Sequence, residues 1–325
     1  MLCLLYVSTV GLLLGVVGLL VERILPTTSA RRWVWGAIIP TSIALPGYYG
    51  QHHTWSVLKA LDQHASRPSV THSITNAPLD ALDPAWWERI RSFNPTIERF
   101  WFIATALLIV WGLANVLRVW YLVHVSRRGV GDRHNAAIVD GVPVVVTNQL
   151  GPATVGVLRS LVVVPRWVLA LPARQRQYVL RHEDEHRRAH DAALLFLASL
   201  PILLMPWNPA LWWQVRRLCL AVELDCDNRV VKALGDAPAY GELLLKVAQA
   251  ANRGPRLQPA FLGVGSLERR LTALVAPRPL RHAQKFLLPA AVMALLLLVL
   301  WMPHPVLGSS SHAHAAMTTP APSQP

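Results

Sequence analysis

Four charge-free apolar runs, separated by polar stretches, organise the chain. Met1–Val21, Trp33–Gly50, Phe100–Leu117 and Phe286–Pro303 contain no Asp, Glu, Lys or Arg. Each approaches the roughly 20 residues that a helix needs to cross a bilayer core, so the pattern predicts four spans. No basic residue precedes the first run, and its nearest charges, Glu22 and Arg23, follow it. That order predicts a retained span rather than a cleaved signal. Between the third and fourth runs the period changes. Val142–Thr147 and Leu161–Pro165 are short β-branched stretches flanking the Gly-, Pro- and Asn-rich segment Asn148–Arg159, and they read as strands. Ala173–Ala193, Leu218–Leu234 (ended by Gly235), Ala237–Asn252 and Leu267–Val275 read as helices. The predicted fold is a mainly α-helical multi-pass membrane protein with a small α+β domain inserted between the third and fourth transmembrane helices.

Composition sharpens this. The 325 residues are 53% hydrophobic and 15% charged, against about 25% charged in soluble domains. The net charge is +13, and its placement orients the chain. Arg23, Arg31 and Arg32 crowd the link between the first two runs, and most remaining Lys and Arg lie within Arg127–Lys285. Positive charge stays cytoplasmic, so the expected location is a bacterial-type inner membrane. The N-terminus and C-terminal tail are then extracytoplasmic and the inserted domain cytoplasmic. The expected organisation is two spans with a cytoplasmic link over 1–50, an outer loop over 51–99, a third span over 100–125, the cytoplasmic domain over 126–283, a fourth span over 284–303 and a disordered tail over 304–325. In the outer loop, Asp83-Pro84 reads as a helix start and Trp86-Trp87 as interface anchors. The basic charge implies contact with anionic lipid. No basic stripe with interleaved aromatics is present, so direct nucleic-acid binding is not expected. Cys3, Cys219 and Cys226 form neither a disulfide framework nor a CxxC pair.

Candidate chemistry sits at His182-Glu183-Asp184-Glu185-His186. On a helix, positions i and i+4 differ by only about 40° around the axis. Two imidazoles can therefore grip one cation, with Glu183 beside them to take a proton from metal-bound water. Chance yields three such fixed positions roughly once in 8,000 windows, so a third ligand must be found. His190 lies two turns beyond His182 and cannot easily converge on the same ion. Glu223, on the second predicted helix, is the better candidate, with Asp227 one turn on to orient an imidazole. Ala192–Val215 carries no charge and is long enough to span. A single crossing would put Glu223 and His182 on opposite sides of the membrane. Pro201, Pro206 and Asn208-Pro209 supply the breaks for a membrane-dipping hairpin instead.

The order and spacing of these elements resemble the BlaR/MecR family of membrane-embedded zinc metallopeptidases, of the gluzincin group. The resemblance runs through Val142–Thr147, Gly151-Pro152, Gly156 and Leu161–Pro165. It continues through His182–His186 with Asp191, Trp207-Asn208-Pro209 with Trp212, and Glu223 with Cys226-Asp227. It covers residue 1 to about 303. It implies a gluzincin-like domain holding one Zn2+ through His182, His186 and Glu223, with Glu183 as general base and Asp191 and Asp227 supporting the ligands. It also implies that Val142–Thr147, through Val144, Val145 and Val146, is an edge strand that pairs with an extended substrate. In the best-known members an outer sensor detects a β-lactam and the peptidase inactivates a cytoplasmic repressor. Here 22 residues follow the fourth span, so the sensor is not expected. Ser56-Val57-Leu58-Lys59 matches SxxK but stands without SDN or KTG elements.

The implied function is a membrane-bound zinc endopeptidase acting on a cytoplasmic or membrane-proximal protein, in regulated proteolysis of a transcriptional repressor. The alternatives are a non-catalytic membrane transducer with a structural metal site, for which Cys226 would serve as a fourth ligand, and a quality-control protease similar to the CAAX-prenyl-protease/HtpX group. Tyr178, Tyr240, His282 and several arginines remain open as oxyanion partners, and a homodimer remains open as an assembly.

Overall fold

The computed structural model describes residues 2–25, 28–64, 94–128, 136–147, 151–251, 266–275 and 282–302. It is mainly helical with one small sheet. Helices α1 (Leu2–Ile24), α2 (Thr28–His64) and α3 (Asn94–Arg128) come first, and α10 (His282–Trp301) closes the described chain. Three segments are long and apolar enough to cross a membrane: Leu4–Ile24, Glu98–Leu122 and Gln284–Trp301. The second expected span, Trp33–Gly50, falls within α2, a longer and more polar helix that carries Pro40 and Pro46 inside it. Its buried face, Trp35, Ile39 and Ser42, packs inward. The expected helix start at Asp83, the Trp86-Trp87 anchors and the tail from Gly308 lie outside the described residues.

Four strands follow: β1 (Ala136–Val139), β2 (Val142–Thr147), β3 (Ala153–Val155) and β4 (Leu161–Pro165). The two predicted strands have the bounds expected, and β1 and β3 join them. Asp140 and Gly141 connect β1 to β2 with φ of 49° and 80°. Two successive positive φ values are what a two-residue hairpin turn matching the strand twist requires. The sheet order is β1-β2-β4-β3, with β2 and β4 parallel and the outer pairings antiparallel. This corrects one expectation. Val144, Val145 and Val146 belong to an inner strand whose backbone is committed to β1 and β4, so β2 is not an edge. The free edges are β1 and β3.

Helices α4 (Arg166–Leu169), α5 (Ala173–Arg188), α6 (Asp191–Leu204), α7 (Pro209–Leu234), α8 (Ala237–Ala251) and α9 (Ser266–Val275) complete the domain. Val142, Val144, Val162 and Val164 on one sheet face pack with Tyr178, Val179 and Leu180 of α5, Cys226 and Val230 of α7, and Tyr240, Leu243 and Leu244 of α8. On the opposite face, Val145 and Val163 meet Leu122 of α3 and Val155.

A short break separates α6 from α7. At 14 residues, α6 is about 21 Å long, shorter than a bilayer's hydrocarbon core of about 30 Å. Pro201 stays inside α6, and the reversal falls at Met205–Asn208 instead. There Asn208 accepts a hydrogen bond from the Ala210 N–H at 3.0 Å, and the Trp212 indole donates to the Pro206 carbonyl at 2.9 Å. Pro209 at the first helical position costs no hydrogen bond, so α7 begins nine residues before the expected Leu218 and runs unbroken for 26 residues.

The first part of α7 packs against α1 and α2. A Cβ on Gly15 would collide with the Trp213 ring, and one on Gly18 would come within 2.6 Å of Ile38. Small residues on α1 thus permit close helix approach, as at interfaces between membrane helices. Gln214, fully buried, donates to the Gly11 carbonyl at 2.7 Å and to the Ser42 hydroxyl at 3.0 Å. Glu22 accepts from Trp35 at 3.0 Å and from Arg217 at 2.6 Å. These partners offset the cost of burying polar groups among apolar side chains.

Candidate metal centre

His182 and His186 lie one turn apart on α5 with their Nε2 atoms 3.2 Å apart and their rings nearly perpendicular, at 88°. The helix stops at Ala189. His190 then adopts a left-handed conformation (φ 55°) and turns the chain into α6. The break exposes His190 and removes it from the pair. It also places Asp191 at the start of α6, where its Oδ2 accepts from Nδ1 of His186 at 2.8 Å.

Facing them, α7 presents Glu223. Its Oε2 is 3.6 Å from Nε2 of His182 and its Oε1 is 3.7 Å from Nε2 of His186. For metal–ligand bonds of about 2.0–2.2 Å, ligand atoms of a tetrahedral site stand about 3.4 Å apart. The three separations are close to the edges of such a polyhedron, so the residues fit a zinc ion without rearrangement of the backbone. The far nitrogens support the same reading. Tyr240 donates its hydroxyl proton to Asp227 at 2.7 Å, which leaves its oxygen to accept from Nδ1–H of His182 at 3.0 Å. Asp227 itself is 3.5 Å from that nitrogen. With Asp191 beside Nδ1 of His186 and Tyr240 beside Nδ1 of His182, neutral imidazoles protonated on Nδ1 would turn both Nε2 lone pairs to one point.

His182, His186 and Cys226 also lie within ligand reach of one another. Sγ of Cys226 sits 3.3 Å from Nδ1 of His182 and contacts the His182 carbonyl at 3.3 Å. Glu223 and Cys226 are therefore both placed to join the two histidines.

Glu183 is buried, 8% exposed. Thr154 on the edge strand β3 reaches it: the Thr154 hydroxyl lies 2.6 Å from the Glu183 carbonyl oxygen and 3.2 Å from its Oε2. Arg270 on α9 closes the other side. It donates to Asp227 through two nitrogens at 2.7 Å each, and its Nη1 lies 2.8 Å from Oε2 of Glu223. Burial alone would raise the Glu223 carboxyl. Arg270 and the two histidines outweigh it and hold that carboxyl well below the usual carboxylate range. Burial, reinforced by the Asp227 charge, keeps the Tyr240 phenol well above its ordinary range, so it remains a donor.

The structure thus brings together His182, Glu183, His186, Asp191, Glu223 and Asp227, and leaves Val144, Val145 and Val146 inside the sheet. Thr154 and Arg270 were not legible as site residues. Thr154 sits in a strand too short to show alternation, and Arg270 in a segment whose basic residues read as topological charge. Among the oxyanion candidates, Tyr178 is committed to the Gly235 carbonyl at 2.8 Å, and Tyr240 to His182 and Asp227.

The chain is 28% identical over 111 residues to the regulatory protein BlaR1 of Bacillus licheniformis. That alignment covers 34% of this chain and 18% of the relative, so the chain matches less than a fifth of that protein's length. The sequence profile of a peptidase family, described as BlaR1 peptidase M56, matches residues 2–274, which include two of the three long apolar helices and all the residues of the centre. With a match over most of its length, this chain belongs to the BlaR1 peptidase M56 family.

Proposed function

We propose that the protein is a membrane-bound zinc endopeptidase with a cytoplasmic active site, and that it cleaves a regulatory protein in a signalling response. The observation that carries this reading is the approach of the two Nε2 atoms and both Glu223 carboxylate oxygens to within 3.2–3.7 Å of one another. His182, His186 and Glu223 would hold the ion. When bound, zinc supplies Lewis-acid polarisation of the scissile carbonyl and acidifies attacking water.

The chain's own residues do the rest. Thr154 fixes the Glu183 side chain through Oε2. Glu183 takes a proton from the attacking water and delivers it to the departing amine. Asp191 and the Tyr240–Asp227 pair hold the two imidazoles in the tautomer that binds metal. Arg270 helps keep Glu223 ionised and pins Asp227 through two hydrogen bonds. An extended substrate pairs with β3, the free edge that already touches Glu183 through Thr154, rather than with the inner strand β2. The four-span arrangement with the hairpin dipping from the cytoplasmic side keeps all these groups in one compartment.

The second reading is a closed structural site in which Cys226 replaces water, favoured by its proximity to both histidines. Zinc content of detergent-purified protein separates the possibilities when measured with Glu223→Ala, His186→Ala and Cys226→Ser. About one zinc per chain, lost in the first two variants and kept in Cys226→Ser, supports the open centre. Unchanged zinc in Glu223→Ala overturns it.

A further inference from the structure

The first turn of α2, a helix with no part in the chemistry proposed above, is wired to the metal centre. Nη1 of Arg32 lies 2.8 Å from Oδ1 of Asp191 and 3.6 Å from Oδ2 of Asp225 on α7. Asp191 is 2% exposed at its side chain and spends its other oxygen on Nδ1 of His186, at 2.8 Å. One carboxylate therefore bridges a guanidinium on α2 and an imidazole of the centre. Around it, the Thr28 hydroxyl donates to Asp225 at 3.2 Å, and the Asn228 amide donates to Thr28 at 3.0 Å. Arg229 competes for the same acids. It lies 3.5 Å from Oδ2 of Asp191, the oxygen that His186 uses, 3.4 Å from Asp225 and 3.0 Å from Glu185.

We infer that Arg32 is a positioning residue of the metal centre: it pins Asp191 by Oδ1 so that Oδ2 stays on His186, and zinc affinity therefore depends on how α2 is seated against α6 and α7. This rests on the zinc reading above. The argument is geometric. A buried carboxylate anchored at one oxygen only can rotate toward Arg229. Anchored at both, it fixes the His186 ring and its Nε2 direction. The contact is also the point where a movement of α2, packed along α1 and α7, meets a metal ligand directly.

The test uses full-length protein in detergent or nanodiscs and zinc affinity measured by chelator competition. A partner bound directly to a ligand imidazole is worth about 10–100-fold in metal affinity, so Arg32, one contact further out, is expected to be worth about 3–10-fold. Arg32→Gln should weaken zinc by that factor and Arg32→Lys should restore most of it. Arg31→Gln, which removes a neighbouring charge whose donor goes to the Leu25 carbonyl at 3.2 Å, should leave affinity within twofold. In an Asp191→Asn background, Arg32→Gln should add nothing. Three results would overturn the inference: zinc affinity unchanged or tighter in Arg32→Gln, an equal loss in Arg31→Gln, or a full additional loss in the Asp191→Asn background. A drop in thermal stability with unchanged zinc affinity would make Arg32 a clamp between helices and nothing more. A wild type that binds no zinc at all fails the metal reading itself, and is distinguishable because no variant then differs.

Discussion

The two histidines share one helix face, yet they are held from opposite sides of the domain by different chemistry. His186 leans on the α6–α7 side. Its Nδ1 meets a carboxylate, Asp191, that opens the α6–α7 hairpin and is bound in turn by two arginines. His182 leans on the α8–α9 side. Its Nδ1 meets the Tyr240 hydroxyl and the Cys226 thiol, with Asp227 acting through Tyr240. A direct carboxylate contact raises ligand basicity and fixes orientation in one step. A hydroxyl relay with a thiol beside it divides the same task among several weaker contacts. The centre is thus a seam between a wall packed on the α1–α2 helices and a wall built from α8 and α9, with Glu223 common to both.

Glu223→Ala removes the shared ligand and should abolish stoichiometric zinc binding, checked by metal analysis. Glu183→Gln touches neither wall's grip on the ion. It should leave zinc content intact and lower peptide cleavage by about 10²–10⁴-fold, the usual worth of general acid–base catalysis, in single-turnover assays with any cleavable protein. Asp191→Asn and Tyr240→Phe compare the walls directly. The first should weaken zinc by about 10–100-fold, as for other carboxylate–histidine–metal contacts. The second should cost about 2–5-fold, because Cys226 and Asp227 remain beside Nδ1. Equal losses from the two would erase the asymmetry. The smallest effect belongs to the helix-packed wall alone. Gly15→Leu drives a side chain into Trp213 and should destabilise the α1–α7 packing by about 1–3 kcal/mol, as overpacking commonly does, seen as a lower melting temperature in detergent.

Much of this seam could be read in the sequence, and the reason is local. His182, Glu183 and His186 follow from helical spacing alone. Glu223 and Asp227 follow from the same spacing on a second helix, and the uncharged stretch with its prolines forced a reversal between them. The Asp140-Gly141 turn was legible in principle, as Asp-Gly before an apolar strand, but it reads as the end of a charged linker because β1 is so short. Asp191 was reachable only through family resemblance, since its approach to His186 depends on the left-handed turn at His190. Tyr240 was in view for a different task. Thr154 and Arg270 arrive from a strand edge and a distant helix, and no period along the chain announces a tertiary meeting. The edge-strand expectation failed for a related reason: β2 looks the same in sequence whether or not β1 forms beside it.

One helix deserves to be considered as a shaft. Gln214, locked to α1 and α2, and Glu223, at the centre, are nine residues apart on the unbroken α7, about 13 Å along a single axis. A helix transmits rotation without slack, and its side chains reach about 5 Å from the axis, so a 20° turn at the bundle would sweep the Glu223 carboxylate by about 2 Å. That is the length of one metal–ligand bond. No joint separates the point where α7 is tied to α1 and α2 from the point where it carries Glu223.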